Sequence, residues 1–370
     1  MKKLWMILLI PLLSGCWDSH NIEELSLVVG EGIDKSKKND EIKLTHQILV
    51  PPGTSVQENQ GQQKYKNITV SAKTLHEAIR DSLLITNTIL TNHQRILIIN
   101  EDVLKDIPME AIINMFIRDN SIRRSCLVLL TKKPTKEILG NSEADDIPSN
   151  VIFELKDNEK RTNKILPPLT LGQASASLQS DGSFAIQAVD IKGGKLILDG
   201  AGVINNSKLV GVMSADDIAS LNWLNGTVKG GIIEASHHGD PFSVEVIKRT
   251  RRKITTELDG EHLTINISIG YTGRLSEDWY TKENSIKESY IKDAERVAED
   301  KVEQDVEKII GKLQHDYKTG VAGLYRYVEN QHPKFWKKNK KKWDEIFSDA
   351  DINYHIDIRI IDFGAKGGTK

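Results

Sequence analysis

The first sixteen residues, MKKLWMILLIPLLSGC, fix the compartment in which everything after them must fold. Lys2 and Lys3 make a charged start, and the apolar run over residues 4–13 is about half the ~20 residues a helix needs to cross a bilayer. It closes on Leu13-Ser14-Gly15-Cys16, the lipobox pattern, whose small residues admit a peptidase to the bond between Gly15 and Cys16. Cleavage there makes Cys16 the new amino terminus, with a diacylglycerol on its sulfur and an N-acyl chain of the palmitate kind on its amine. Several acyl chains hold a protein at a membrane where one is marginal. An ordinary secretory signal or an uncleaved anchor is the competing reading, and the placement of the cysteine favours the lipobox. Residues 1–15 are thus read as signal peptide and 16–21 as a lipidated tether.

What remains after the cut exceeds what one core usually organises, so two or three domains are expected. The 50 basic and 52 acidic residues nearly balance, which gives no reason to expect nucleic acid as a partner. No later stretch has 18 consecutive apolar residues, so nothing beyond the signal spans a membrane as a helix. Cys126, the only other cysteine, lies in the apolar run Cys126-Leu127-Val128-Leu129-Leu130. With Cys16 alkylated there is no intrachain disulfide, and Cys126 reads as a small core residue rather than a reactive thiol.

Periodicity divides the chain at about residue 195. In the first block, 22–194, Leu25, Leu27, Val29 and Ile33 alternate, as do Ile42, Leu44, His46, Ile48 and Val50, predicting two strands joined across a polar hairpin loop. Pro51-Pro52-Gly53 ends the second, and residues 53–67 read as a long loop. Alternating helices and strands follow: a helix from Thr74, with Thr74 and Glu77 as a capping box, a strand at 95–100, a helix at 109–118, and a strand at 125–131 apolar enough to be covered on both faces. Residues 134–182 read as helices with Pro-rich connectors.

A short strand at 184–192 ends the first block at the turn signal Gly193-Gly194, and the second block, 195–363, opens with short strands over 195–213 parted by Asn205-Asn206, then a helix at 214–224 capped by Ser214. Three strands are expected at 242–248, 253–258 and 263–270. Ile291, Ala294, Ala298, Val302, Val306, Ile309, Leu313 and Tyr317 then form one apolar stripe, predicting a helix over about 285–317 laid on a sheet. More helix follows, a strand at 352–361 closes the block, and 364–370 is a flexible tail. The fold class is α+β: several domains, with mixed sheets each packed by helices.

Gly15-Cys16-Trp17-Asp18, Glu24-Leu25-Ser26, Gly30-Glu31-Gly32-Ile33-Asp34, Phe116-Ile117-Arg118-Asp119 and Ile122-Arg123-Arg124 occur in the first block. Lys208-Leu209-Val210-Gly211, Trp223-Leu224 with Gly226, Arg249-Thr250-Arg251-Arg252-Lys253-Ile254, and His332-Pro333 with Trp336 and Trp343 occur in the second. In order and spacing these resemble the C subunits of the GerA-type nutrient germinant receptors of spore-forming bacteria, the Ger(x)C lipoproteins. The resemblance covers nearly the whole chain. It implies a three-domain mixed α/β fold and a non-enzymatic subunit on the outer face of the spore inner membrane. It also implies two integral-membrane partners, the A and B subunits, with which this subunit assembles or relays the nutrient signal. It carries no catalytic residues and no cofactor; only Cys16 transfers, as lipid attachment site.

No other chemistry competes. The chain has no Gly-x-Ser-x-Gly turn and no His-Glu-x-x-His helix. Gly30-Glu31-Gly32 lacks the third glycine and the helix of a phosphate site, and the tail 364–370 lacks the spacing of a phosphate loop. His237-His238 with Asp240 is a weak metal set, since adjacent strand residues point to opposite sides. Lys337-Lys338-Asn339-Lys340-Lys341-Lys342 lies either on anionic headgroups or, preferably, in solvent, with Trp336 and Trp343 in the core. Arg249, Arg251 and Arg252 either meet an acidic partner surface or close ion pairs within the chain. The alternative function is a solute-binding lipoprotein of a transporter, which needs a ligand cleft for which no convergent residue set is visible; a surface hydrolase is weaker still.

Overall fold

The computed structural model describes residues 26–38, 40–50, 64–86, 89–141, 146–180, 182–237, 239–280 and 287–363. The signal, Cys16, the tether, most of the 53–67 loop, His238 and the 364–370 tail lie outside the described residues.

The first sheet is built on β1 (Ser26–Lys35), β2 (Ile42–Leu49), β3 (Tyr65–Ala72), β5 (Ile96–Asn100) and β6 (Leu127–Thr131), with the two-residue β4 (Ile89–Leu90) beside the start of β1. It continues through β7 (Phe184–Lys192), β8 (Lys195–Asn205) and β9 (Lys208–Met213), in the order β3-β2-β1-β5-β6-β7-β8-β9. The inner pairs β1–β5–β6–β7 are parallel and the flanking pairs antiparallel. Alternation in the central strands supplies two cores. Leu97, Ile99, Val128 and Leu130 face α1 (Leu75–Ser82), α2 (Glu101–Asp106), α3 (Met109–Arg118) and a later helix, α6 (Leu171–Gln179); Ile96, Ile98, Leu127 and Leu129 face α4 (Thr135–Leu139) and α5 (Pro148–Leu155). The central strands are therefore covered on both faces, as their unbroken apolar runs require.

Local signals set the ends of these elements. Thr74 Oγ1 accepts from the Glu77 amide, whereas the Glu77 carboxylate reaches the amide of Lys73 rather than that of Thr74 itself. The hairpin turns are left-handed at Gly193 and Gly194 and at Asn206 and Ser207, the conformation a two-residue turn demands. The second turn also acts at a distance. Pro108 gives α3 no side-chain cap, and the Ser207 carbonyl and hydroxyl accept from Met109 N and Glu110 N at 2.6 and 2.8 Å.

The second sheet has the order β10 (Ile232–His237), β11 (Asp240–Asp259), β12 (His262–Asp278), β13 (Asp351–Asp362). The two strands expected at 242–248 and 253–258 are one 20-residue strand. Its register slips near Val246/Lys248 and Arg249/Arg251, and these bulges interrupt the period-two pattern by which a single strand is recognised in sequence. The apolar stripe becomes α8 (Glu288–Gly311), which buries Ala294, Ala298, Val302, Val306 and Ile309 on this sheet; residues 312–316 continue it as a wider π turn. Three of its glutamates serve the edge strand: Glu295, Glu299 and Glu303 accept from the amides of Ile360, Ile358 and Ile356 at 2.7, 2.8 and 3.1 Å. An open sheet edge is a template for unwanted pairing, and this carboxylate row closes part of it. The remaining helices are α7 (Ala215–Asn225), α9 (Tyr325–Gln331), α10 (Pro333–Asn339) and α11 (Trp343–Asp349).

The two sheets share a core boundary. Ala201 and Val203 of β8 pack with α7 and the second sheet, while Ile204 packs with the first. Tyr317 lies on Gly211 and donates to the Val212 carbonyl at 2.8 Å, and Lys312 meets Asp217 at 2.7 Å.

Candidate functional site

The motif Gly30-Glu31-Gly32-Ile33-Asp34 occupies the middle of β1, where two layers of side chains diverge. On one face the glycines let helices approach the strand: a Cβ at Gly30 would fall on the Ser149 hydroxyl, and one at Gly32 on the Thr135 side chain. Both helix starts are then held by polar groups of the sheet. Asp34 accepts from Thr135 N and Oγ1 at 2.9 and 2.5 Å, and Gln47 Oε1 accepts from Ser149 N and Oγ at 2.9 and 2.6 Å. Carboxylate and amide oxygens here do the work of caps that Pro134 and Ile147 cannot perform. Burial pushes the Asp34 carboxyl above its usual range, outweighing the two Thr135 donors.

On the opposite face Glu31 and His46 are fully buried, with Oε1 and Nδ1 2.7 Å apart, and Gln94 donates to the other Glu31 oxygen at 2.9 Å. Cys126 is buried with them in the first domain's core, and burial, with the Glu31 charge second, raises its thiol well above the ordinary range. A reactive cysteine needs the reverse. The Gly-x-Gly pattern is therefore a packing device around a buried polar pair, and the glycines cradle side chains.

Two of the second-block motifs, Trp223-Leu224 with Gly226 and the arginine run from Arg249, meet at the C-terminal end of α7. Gly226, left-handed at φ 59°, ends that helix. Arg249 donates to the Gly226 carbonyl and Tyr354 to that of Trp223 at 3.2 Å, so two helix-end carbonyls gain donors, one of them cationic as the helix dipole favours. Trp223 meets Tyr271 edge-on at 5.1 Å, and burial pushes the Tyr271 phenol up to about 12. Arg252 lies over the Tyr327 ring at 5.4 Å, and Arg251 donates to Ser268 Oγ at 2.7 Å. The three arginines thus contact their own chain through carbonyl, ring and hydroxyl, and all three remain exposed.

The lysines of 337–342 are exposed, while Trp343 is buried and Trp336 partly so, in an aromatic cluster with Tyr325 and Phe347. His237 is buried against Tyr280 and Tyr290, with Asp240 paired to it across a turn. Among the described residues no three His, Cys, Asp or Glu side chains group as metal ligands, and no helix is long and apolar enough to cross a membrane. An open groove of about 610 Å³ runs between α1 and α3, lined by Ile42, Leu75, Ile107, Ala111 and Met115, with His76 and Arg118 among its polar residues.

Two family models divide the chain between them. Residues 18–191 match "Spore germination protein N-terminal domain" and 199–364 match "Spore germination B3/ GerAC like, C-terminal". The chain belongs to the GerAC family of spore germination proteins. It is 40% identical to spore germination protein A3 of Bacillus subtilis (strain 168), over 100% of this chain and 99% of that one, and 35% identical to spore germination protein B3 of the same organism, over 98% and 97%. The crystal structure of the GerBC protein is similar, with TM-score 0.64 and 30% identity, covering 92% of this chain and 100% of that one. The resemblance drawn from the motifs holds, and so does the α+β fold class of mixed sheets packed by helices. GerAC membership gives the chain a role in spore germination, in a family not known for enzymes. The motif glycines at 30, 32, 211 and 226 of this GerAC protein all sit where a second element presses on the backbone, so the family motifs visible in the sequence are largely fold determinants.

Proposed function

We propose that this chain is the lipid-anchored C subunit of a nutrient germinant receptor, held by acylated Cys16 on the outer face of the spore inner membrane beside integral-membrane A and B subunits. The observation that carries this reading is the end-to-end match to spore germination protein A3, in a chain that begins with a lipobox. The anchor restricts the subunit to the membrane plane and so raises its effective concentration near its partners. Its role is assembly or relay without catalysis. Of the three arginines considered for an acidic partner face, Arg249 and Arg252 are engaged by Gly226 and Tyr327, and Arg251, bound to one hydroxyl only, is the one offered to a partner.

The test is recovery of the protein from spore inner membrane, with mass spectrometry of its amino-terminal peptide and its companions. Diacylated Cys16 together with A- and B-type membrane subunits is expected. Lipidated Cys16 accompanied by a transporter permease and ATPase would overturn the receptor assignment. Cys16→Ala should leave the fold intact while abolishing membrane attachment and nutrient-triggered germination; normal germination with the protein shown to be off the membrane would refute the anchor's role.

A further inference from the structure

Among the described residues, the exposed large apolar side chains include one consecutive run. Leu83, Leu84 and Ile85 are consecutive, immediately follow α1, and are 40%, 85% and 62% exposed. Scattered exposed leucines need no explanation, but three in a row at a tip do. The tip is also closed on itself: Leu83 N, Leu84 N and Ile85 N donate to the carbonyls of Arg80, Asp81 and Ser82 at 3.1, 3.0 and 3.1 Å, and Thr86 N donates to Ser82 as well. Such a turn brings no unsatisfied amide from these residues into an apolar medium, where each would be costly.

Its position supplies the occupant. Thr86 Oγ1 is 2.8 Å from Ser26 Oγ, so the tip adjoins the first residue of β1. Ser26 lies ten positions after Cys16, a reach of at most about 36 Å when fully extended. Lys66, whose Nζ approaches Thr86 Oγ1 at 3.4 Å, and Arg80 are near the tip and suit anionic headgroups.

We propose that Leu83-Leu84-Ile85 is a membrane-docking tip that inserts into the interfacial layer of the phospholipid bilayer holding the anchor, giving a second attachment point and a fixed orientation of the first sheet. The proposal rests on lipidation of Cys16, and the experiment separates the two. The lipidated full chain, carrying Ile85→Cys labelled with an environment-sensitive fluorophore, is reconstituted into phosphatidylglycerol/phosphatidylethanolamine vesicles. Cys126 is buried and Cys16 acylated, so the label is unique. Flotation and mass spectrometry of the amino-terminal peptide report the anchor alone. With the anchor in place, blue-shifted emission and quenching by spin-labelled lipid are expected at position 85 and not at a Glu261→Cys control in the turn between β11 and β12, and Leu84→Asp should abolish both signals. Vesicle-bound protein with a silent label at 85 would overturn the proposal, and so would equal quenching at both positions, which would mean nonspecific adsorption.

Discussion

Replacing Gly30 with alanine sets two effects of opposite sign against each other. Alanine restricts the unfolded chain and stabilises by about 0.4–1 kcal/mol where the backbone tolerates it, and Gly30 does not need a left-handed conformation. Yet the new Cβ would fall on Ser149 Oγ, 2.9 Å from Ser149 Cβ and 3.1 Å from Ile96 Cγ1. Overpacking of this kind costs about 1–3 kcal/mol. Moving the start of α5 aside also loosens its two hydrogen bonds to Gln47, worth about 0.5–1.5 kcal/mol each. Taken at their middle values the terms give a net loss of about 3 kcal/mol. At a urea dependence of about 3 kcal/mol per molar, the midpoint falls by about 1 M. Every tryptophan among the described residues lies at 223 or beyond, so fluorescence would report the second sheet. Hydrogen exchange at β1 and β5 amides, followed through the urea transition, reports the affected one. Adding Ser149→Gly removes the obstructing side chain, so the double variant should recover at least ~1 kcal/mol relative to the sum of the single effects. Simple additivity, or a Gly30→Ala protein more stable than the parent, would refute the packing argument.

Other consequences are equally accessible. Glu31→Ala strands the fully buried His46 and should cost about 3–5 kcal/mol in the same exchange experiment, whereas Glu31→Leu with His46→Leu should be much milder, because both polar groups leave together. Burial raises the Glu299 carboxyl above its ordinary 4.5 despite the Ile358 amide. A carboxyl raised in the folded state favours folding fully below its unfolded value, and that contribution is lost as pH rises through the folded pKa. Glu299→Gln, which keeps an acceptor for Ile358 N, should therefore melt higher than the parent at pH 7 and equally at pH 4; a lower melting point at pH 7 would reverse the sign. Gly311, near the end of α8 with nothing within 4 Å of where a Cβ would sit, should tolerate alanine with a gain of up to about 1 kcal/mol, read from the tryptophan-monitored urea transition.

Burial on both faces of β6 was readable because its unbroken apolar run leaves no solvent side, and α8 was readable because its stripe repeats for more than six turns. The continuity of β11 was not, because a bulge shifts the facing of every residue after it and so imitates a strand end in the pattern. The same limit explains the motifs. Gly30-Glu31-Gly32-Ile33-Asp34 can be seen in the sequence, but its purpose depends on Thr135 and Ser149, about a hundred positions away, and on His46, the register partner of Glu31. Arg249 and Arg252 likewise look like a free basic run until Gly226 and Tyr327 are placed beside them. Residues that serve the fold through distant partners and residues that serve a partner protein leave the same trace in one chain. The apolar tip at 83–85 differs in kind, since its local hydrogen bonds close without any distant partner and its side chains remain in solvent. A feature that the fold does not consume is the better place to look for what the molecule touches, and here that feature stands beside the strand leading back to Cys16.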